Sequence, residues 1–391
     1  MTSDPVRLGA IGLGRAFALT APALKAHPGI DLVAAAAPRA CSRDAFERAF
    51  GGRSYADVPA LCGDEAVEAV YVSTPHGLHR DHVLAAAAAG KHVLVEKPIA
   101  IEIADGLAMI AACKEAGVCL IIGPSHSFDG PINHAAKLIE SGAFGEPRMI
   151  HALNATDFLY RPRRPDELDT DKGGGVVFSQ AAHQVDMTRR LMRSPASTVT
   201  AMTGAWDPTR PTEGAYAAMI GFEGGGFATL TYSGYGRFDS DGLQGHIGEL
   251  GSAKAGSDYG AARRRLASHR NETSLKASRA FTSLDDAPKA VTHEHFGPLT
   301  VFCEGADMSV TPKGVRVFAD DRTWFEETPF RFTRAEVCDA LYAAVREGKP
   351  PLQSGAWGLA TLEICHAILK AAVSGLPETL TLQQGDAPWA A

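Results

Sequence analysis

The 391-residue sequence predicts an α/β chain. A doubly wound parallel sheet comes first, and an α+β domain with an open, largely antiparallel sheet follows. Three observations lead there. Short apolar runs alternate with helical stretches through residue 122, the pattern of parallel strands joined by crossover helices. From about residue 145 strand-like runs follow one another across turns such as Glu223-Gly224-Gly225, as in antiparallel pairing. The length and 45% hydrophobic content suffice for two cored domains, which the sequence divides into residues 1–124 and 125–391.

Val6 to Ile11 reads as the first strand, followed by Gly12-Leu13-Gly14-Arg15-Ala16-Phe17 and an Ala/Leu-rich helix towards His27. Glycines between a strand and a helix let backbone approach a pyrophosphate at the helix N-terminus. Phe17 occupies the third fingerprint position, where Gly or Ala gives close helix–strand packing. Asp31 to Ala36 is the second strand. The acid that would bind an NAD ribose diol is replaced by Ala37, with Arg39 and Arg43 nearby, which leans towards the 2′-phosphate of NADP. The alternative is that both arginines are solvated residues at a helix start.

Val67 to Val72 is a buried strand that ends in the polar turn Ser73-Thr74-Pro75-His76, and the helix Leu78 to Ala89 begins there. His76, His79 and His82 stand three residues apart, but no carboxylate or thiolate completes a ligand set. We read His76 and His79 as cofactor-edge or turn residues and expect no metal. Val93 to Val95 is a further parallel strand and delivers Glu96-Lys97-Pro98 to its carboxyl end, where open α/β sheets place ligands. A lysine there can stabilise an alkoxide or move a proton; a solvated Glu-Lys pair is the plain alternative. The helix Glu102 to Ala116 and the strand Val118 to Ile122 complete the domain, and His126 lies just beyond, as a substrate contact or a plain loop histidine.

In the second half, Arg148–Thr156, Thr198–Gly204, Ala215–Phe222, Gly226–Tyr232, Leu299–Phe302 and Gly314–Phe318 read as strands. One helix, Val176 to Leu191, interrupts them behind Gly173-Gly174-Gly175. It carries Ser179, His183 and Asp186 at i, i+4 and i+7, a polar row where a core helix would place apolar residues. Before it, Arg161, Arg163 and Arg164 alternate with prolines in a cationic loop suited to carboxylates, or to a solvated or subunit-contact role. Residues 251–280 are polar and locally basic, with Arg263-Arg264-Arg265, Arg270, Lys276 and Arg279, and read as a flexible flap or interface loop. Two helices, Thr333–Glu347 and Ser354–Ser374, close the chain and are expected to pack back on the sheets.

A formal charge of −7 gives no electrostatic case for nucleic acid or an anionic membrane. No run reads as a transmembrane segment or signal peptide. Seven scattered cysteines without CxxC spacing suit reduced thiols, hence a cytoplasmic protein acting on a small molecule.

Several of these motifs resemble the Gfo/Idh/MocA family: Gly12-Leu13-Gly14-Arg15, Ser73-Thr74-Pro75 with His79, Ala89-Gly90-Lys91-His92-Val93 through Glu96-Lys97-Pro98, and Gly173-Gly174-Gly175 through His183 and Asp186. The resemblance implies a Rossmann domain, an open sheet that commonly forms homo-oligomers (dimers or tetramers), and NAD(P) across the cleft. It also implies Lys97 as a catalytic residue before a commonly cis Pro98, with His183 as the acid/base. Ser179 stands where the family usually has an aspartate. Within the family, Gly12 to Phe17, His126-Ser127-Phe128-Asp129, Tyr160 to Pro165 and Gly173 to Asp186 resemble phthalate cis-4,5-dihydrodiol dehydrogenases.

The expectation is hydride transfer between a carbinol carbon and nicotinamide. His183 is the leading base, Lys97 stabilises the alkoxide or joins the relay, Ser179 and His126 contact substrate, and Asp186 orients His183 or Lys97. An inositol or sugar dehydrogenase and a non-catalytic dinucleotide-sensing regulator are the alternatives.

Overall fold

The computed structural model describes residues 4–256, 260–269 and 271–383. Its first sheet has six parallel strands: β1 (Val6–Ile11), β2 (Ile30–Ala36), β3 (Arg53–Tyr55), β4 (Ala69–Val72), β5 (His92–Val95) and β6 (Leu120–Ile122), in the order β3-β2-β1-β4-β5-β6. Helices cover both faces, so β1, β4 and β5 are buried almost throughout and read as continuous apolar runs. β3 escaped the sequence reading, because it is three polar residues that are all at least partly exposed, and the charge-rich helix Ala40–Phe50 was offered there only as a helix start at Arg39 and Arg43.

The order of strands reverses between β1 and β4, and a crevice opens there beyond their carboxyl ends. Two tight connections shape it. The Ser73 N–H donates to Ile11 O at 2.9 Å, and the Ser73 hydroxyl donates to Gly12 O at 2.8 Å.

The second sheet has nine strands: β7 (Pro147–Ala155), β8 (Ala196–Gly204), β9 (Ala215–Phe222), β10 (Phe227–Ser233), β11 (Leu299–Cys303), β12 (Asp307–Thr311), β13 (Gly314–Phe318), β14 (Thr323–Glu327) and β15 (Glu378–Thr379). The order is β14-β13-β12-β11-β7-β10-β9-β8-β15, antiparallel except for β7 beside β10. One face carries Ile150, Ala152, Leu230, Tyr232 and Val301 into the core. The opposite face leaves Met202, Met219, Phe227, Phe318 and Phe325 exposed.

Both terminal helices return to the first domain. Val337, Cys338 and Leu341 of Ala335–Arg346 join the core made by Val6, Leu8 and Phe17. The helix Gly355–Ser374 packs between Ile103–Glu115 and β8, capped by the Ser354 hydroxyl accepting from the Trp357 N–H. By length and composition alone it is apolar enough to cross a bilayer, a run the sequence reading passed over. Its apolar residues are instead spent in the core between the domains.

Candidate active site

The crevice opens into a cavity of about 1050 Å³ that runs from the glycine turn to the second domain. At one end Gly12 has φ +93°, and a Cβ there would stand 2.8 Å from Thr74 Cγ2. A Cβ on Gly14 would meet nothing within 4 Å, and the helix Arg15–Ala26 begins with no side-chain cap. Its first N–H groups are therefore open to an anion at the positive end of the helix dipole. Arg15, Ala16, Ala37, Pro38, Arg39, Ser42, Ser73, Thr74, Pro75 and His76 line this end. The residues fit a dinucleotide: a bare backbone cradle for the pyrophosphate and no acid at the end of β2.

Lys97 and His183 line the same cavity further in. Lys97 leaves β5 into a cis peptide with Pro98, and its Nζ donates to the Ser179 carbonyl at 2.5 Å. Burial lowers the Lys97 pKa to about 8, although Glu96 pulls the other way. Glu96 itself accepts the Tyr71 hydroxyl at 2.6 Å. Burial, then Lys97 and His126, holds His183 well below the ordinary histidine range. The His183 Nδ1 is buried and has no hydrogen-bond partner among the described residues. The His126 ring lies edge-on to it with centroids 4.6 Å apart, and Phe296 packs against both rings. His126 is held by Asp129, Nδ1 to Oδ2 at 2.7 Å, and burial depresses it to about 4. His126, Asp129 and Glu294 bring their ligand-type atoms within 4.8 Å of one another, a group the sequence reading did not see. Arg334 pairs with its Glu294 at 3.2 Å.

The polar row survives in part. The segment opens with a π-helical turn, Val177–Ala181, before Ala182–Met192; Ser179 and His183 both line the cavity, and Asp186 does not. The Ser179 hydroxyl donates back to Gly175 O, so its contribution to the site is the carbonyl that holds Lys97. Asp186 does not line the main cavity; with Lys97 it lines a small neighbouring void, and no hydrogen bond joins it to Lys97 or His183. It is 3% exposed and accepts from the Ser125 hydroxyl, the Ser127 N–H at 3.1 Å and the Trp357 indole. It ties the His183 helix to the loop after β6 and to the last long helix, and does not orient the catalytic pair.

Three residues assigned to the cofactor, His79, Pro98 and Phe17, do not line the cavity. His79 is fully buried beneath the turn, its ring nitrogens 3.0 Å from the carbonyls of Pro98 and Thr74. Pro98 sits behind Lys97 and lines only a small neighbouring void. Phe17 is completely buried and faces Phe281 at 5.1 Å rather than the cavity. His76 does reach the cavity, where burial lowers it to about 3.

The three loop arginines all line the cavity, yet each has an acidic partner. Arg161 donates to Glu249 at 2.7 Å. Arg163 lies over the Phe158 ring at 3.6 Å with Glu167 3.6 Å away. Arg164 pairs with Asp166 at 3.1 Å. Residues 251–280 are no free flap where they are described. Asp157 accepts from the N–H groups of Ala262 and Arg263, and Glu272 accepts from the Arg163 N–H and from Arg210. Lys276 donates to Glu167 at 2.6 Å. Arg270 lies outside the described residues. Glu249, Glu294, Phe296 and Arg334 line the cavity without a sequence signal, because segments distant in the chain bring them there; Gln180, beside Ser179, and Lys276, of the basic stretch, join them.

Comparison with known proteins agrees with this geometry. Residues 6–124 match the oxidoreductase family, NAD-binding Rossmann fold, and residues 132–253 match the GFO/IDH/MocA C-terminal domain. A 1-carboxy-3-chloro-3,4-dihydroxycyclohexa-1,5-diene dehydrogenase of Comamonas testosteroni is 41% identical over 389 residues, 97% of each chain. A solved candidate dehydrogenase from Bordetella bronchiseptica RB50 superposes with a TM-score of 0.91 at 36% identity, covering 96% of this chain and all of its own. Myo-inositol 2-dehydrogenase of Thermotoga maritima is 33% identical over 189 residues, 48% of this chain and 55% of its own. The chain is a dehydrogenase of the Gfo/Idh/MocA family, with an NAD-binding Rossmann domain joined to that family's C-terminal domain.

Proposed function

We propose that this enzyme oxidises a carbinol carbon of a ring cis-dihydrodiol bearing carboxylate, phthalate 4,5-dihydrodiol being the model substrate. The observation that carries the chemistry is the placement of Lys97 and His183, buried side by side where the glycine-turn cavity meets the second domain. The Comamonas relative, which acts on a carboxylated ring diol, supports the substrate class.

The dinucleotide, when bound, supplies the hydride acceptor. The cradle of Gly12, Gly14 and Ala16 would hold it, with Ser73, Thr74, Pro75 and His76 on the other side. Arg39 favours NADP: it lines the cavity beside Ala37, while the Arg43 guanidinium is committed to the carbonyls of Ala37 and Pro38. Lys97 accepts the hydroxyl proton. With a pKa of about 8 it is poised near neutral pH, as a general base should be. His183 stays neutral, because burial and then the charge of Lys97 disfavour its protonation, and it hydrogen-bonds the hydroxyl. This exchanges the leading role that the sequence reading gave to His183. The hydroxyketone left by hydride loss enolises to a catechol, and aromatisation drives the oxidation.

A second copy would cover the apolar outer face of the nine-stranded sheet, which exposes Met202, Met219 and Phe227. The test of function is nicotinamide absorbance with NAD+ and NADP+ offered separately. Reduction with phthalate cis-4,5-dihydrodiol, and none with inositols or aldoses, is expected. Reduction by a polyol alone moves the enzyme to the sugar branch, and silence with every substrate despite cofactor binding favours a sensor.

A further inference from the structure

The reaction at Lys97 and His183 leaves a third buried imidazole unused. His126 is 7% exposed and lines the same cavity. Its Nδ1 meets Asp129 Oδ2 at 2.7 Å, and its Nε2 makes no hydrogen bond among the described residues. The place of this ring beside His183 is fixed from several sides. The two ring centroids stand 4.6 Å apart, and Phe296 packs on both rings, at 5.2 Å from His126 and 4.9 Å from His183. Asp186, three residues after His183, accepts from the Ser125 hydroxyl and the Ser127 N–H, the residues on either side of His126. The Gln353 amide donates to the Ser127 hydroxyl at 2.8 Å. Glu294, close to His126 and Asp129, is matched by Arg334 at 3.2 Å, so this cluster already has its cation.

We propose that His126, positioned by Asp129, receives the second hydroxyl of a cis-diol while Lys97 and His183 take the hydroxyl that is oxidised. The assignment rests on the dihydrodiol reading above. In a cis-diol the two hydroxyls stand on adjacent carbons and on one face of the ring. A site that brings the first hydroxyl to a base therefore brings the second beside it, and a hydroxyl buried without a partner is costly. Two imidazoles packed ring to ring on one cavity supply the pair of partners. His126 suits a hydroxyl better than a carboxylate. Burial depresses it to about 4, against the pull of Glu294 and Glu249, so it carries no charge at neutral pH. A hydroxyl both donates and accepts, and so can bond Nε2 of a neutral imidazole in either tautomer, whereas a carboxylate only accepts. The contact sets specificity, because a single alcohol leaves Nε2 unpaired and a trans-diol turns its second hydroxyl to the other face.

The test titrates 4,5-dihydroxyphthalate and 4-hydroxyphthalate into the NADPH- or NADH-loaded enzyme, for wild type, His126→Phe, His126→Gln, Asp129→Ala and Asp129→Asn. The two ligands share both carboxylates and differ by one hydroxyl. His126→Phe should weaken the dihydroxy ligand by roughly tenfold, the range of a buried hydrogen bond, and leave the monohydroxy ligand within about twofold. His126→Gln keeps a polar group and should recover part of the loss. Asp129→Ala should lose part of the same discrimination and Asp129→Asn should keep it, since an amide still bonds Nδ1. Cofactor affinity retained by each variant shows that it is folded, and His126→Leu reads the same ratio if His126→Phe loses the cofactor. Turnover of phthalate cis-4,5-dihydrodiol by His126→Phe should show a raised KM more than a lowered kcat, as for a contact made equally in ground and transition states. A wild type that does not favour the dihydroxy ligand overturns the assignment. So does an equal loss for both ligands in His126→Phe, or a fall in kcat alone, which would hand His126 to the proton transfer. If the dihydrodiol is not oxidised but the preference for the dihydroxy ligand depends on His126, the second-hydroxyl contact stands and the proposed reaction fails.

Discussion

Replacing Lys97 with arginine separates the two jobs a buried cation can do in this site. Arginine keeps the positive charge but does not deprotonate at accessible pH, so it can stabilise an alkoxide and cannot act as a base. Burial brings Lys97 from an ordinary 10.5 to about 8. At pH 7 the base-competent fraction then rises from about 3 in 10,000 to about one in ten, roughly 300-fold. The sign follows from the charge: the active form is the neutral amine, so kcat/KM for oxidation should rise with pH and level off above about 8. Bound NAD(P)+ adds a positive ring nearby and should move that limb lower. The assay is initial-rate reduction at saturating cofactor between pH 5.5 and 9.5. Lys97→Arg should lose about 10²- to 10⁴-fold in kcat, the usual contribution of a general base, with cofactor affinity little changed. Retention of a tenth or more of wild-type turnover by Lys97→Arg, or a flat wild-type profile, would refute Lys97 as the base and return that role to His183.

Other perturbations test the supports of the site. Asp186→Ala leaves the donors Ser125, Ser127 and Trp357 without their acceptor and should cost about 3 kcal/mol in urea unfolding. Its residual activity should keep the wild-type pH midpoint, since Asp186 is not among the groups that set the Lys97 pKa. Phe281→Ala opens the aromatic socket beside Phe17 and should destabilise by about 3–5 kcal/mol, read from the denaturation midpoint. Arg39→Ala should weaken NADP+ by about tenfold and leave NAD+ nearly unchanged in fluorescence titrations. Equal effects on both cofactors would remove Arg39 from the 2′-phosphate.

The sequence by itself determined the domain plan and the two ends of the site. Buried parallel strands are continuous apolar runs, so β1 was legible residue by residue and β2, β4 and β5 to within two residues at their starts, and their carboxyl ends located Gly12, Ser73 and Lys97. The π-helical turn before His183 could not be read, because a uniform helical period was assumed for the whole stretch; Ser179 still lines the cavity, whereas Asp186, three residues after His183, is held by Ser125, Ser127 and Trp357 from segments distant in the chain. The oddity at Phe17 was visible as a departure, but its meaning lay 264 residues away in Phe281. Three arginines in one loop drew attention through local density. Only tertiary structure showed that Glu249, Glu167 and Asp166 satisfy them. Periodicity and turn chemistry are local and survive in the string of residues. Charge pairing and burial depend on which distant segments meet, and that is decided in three dimensions.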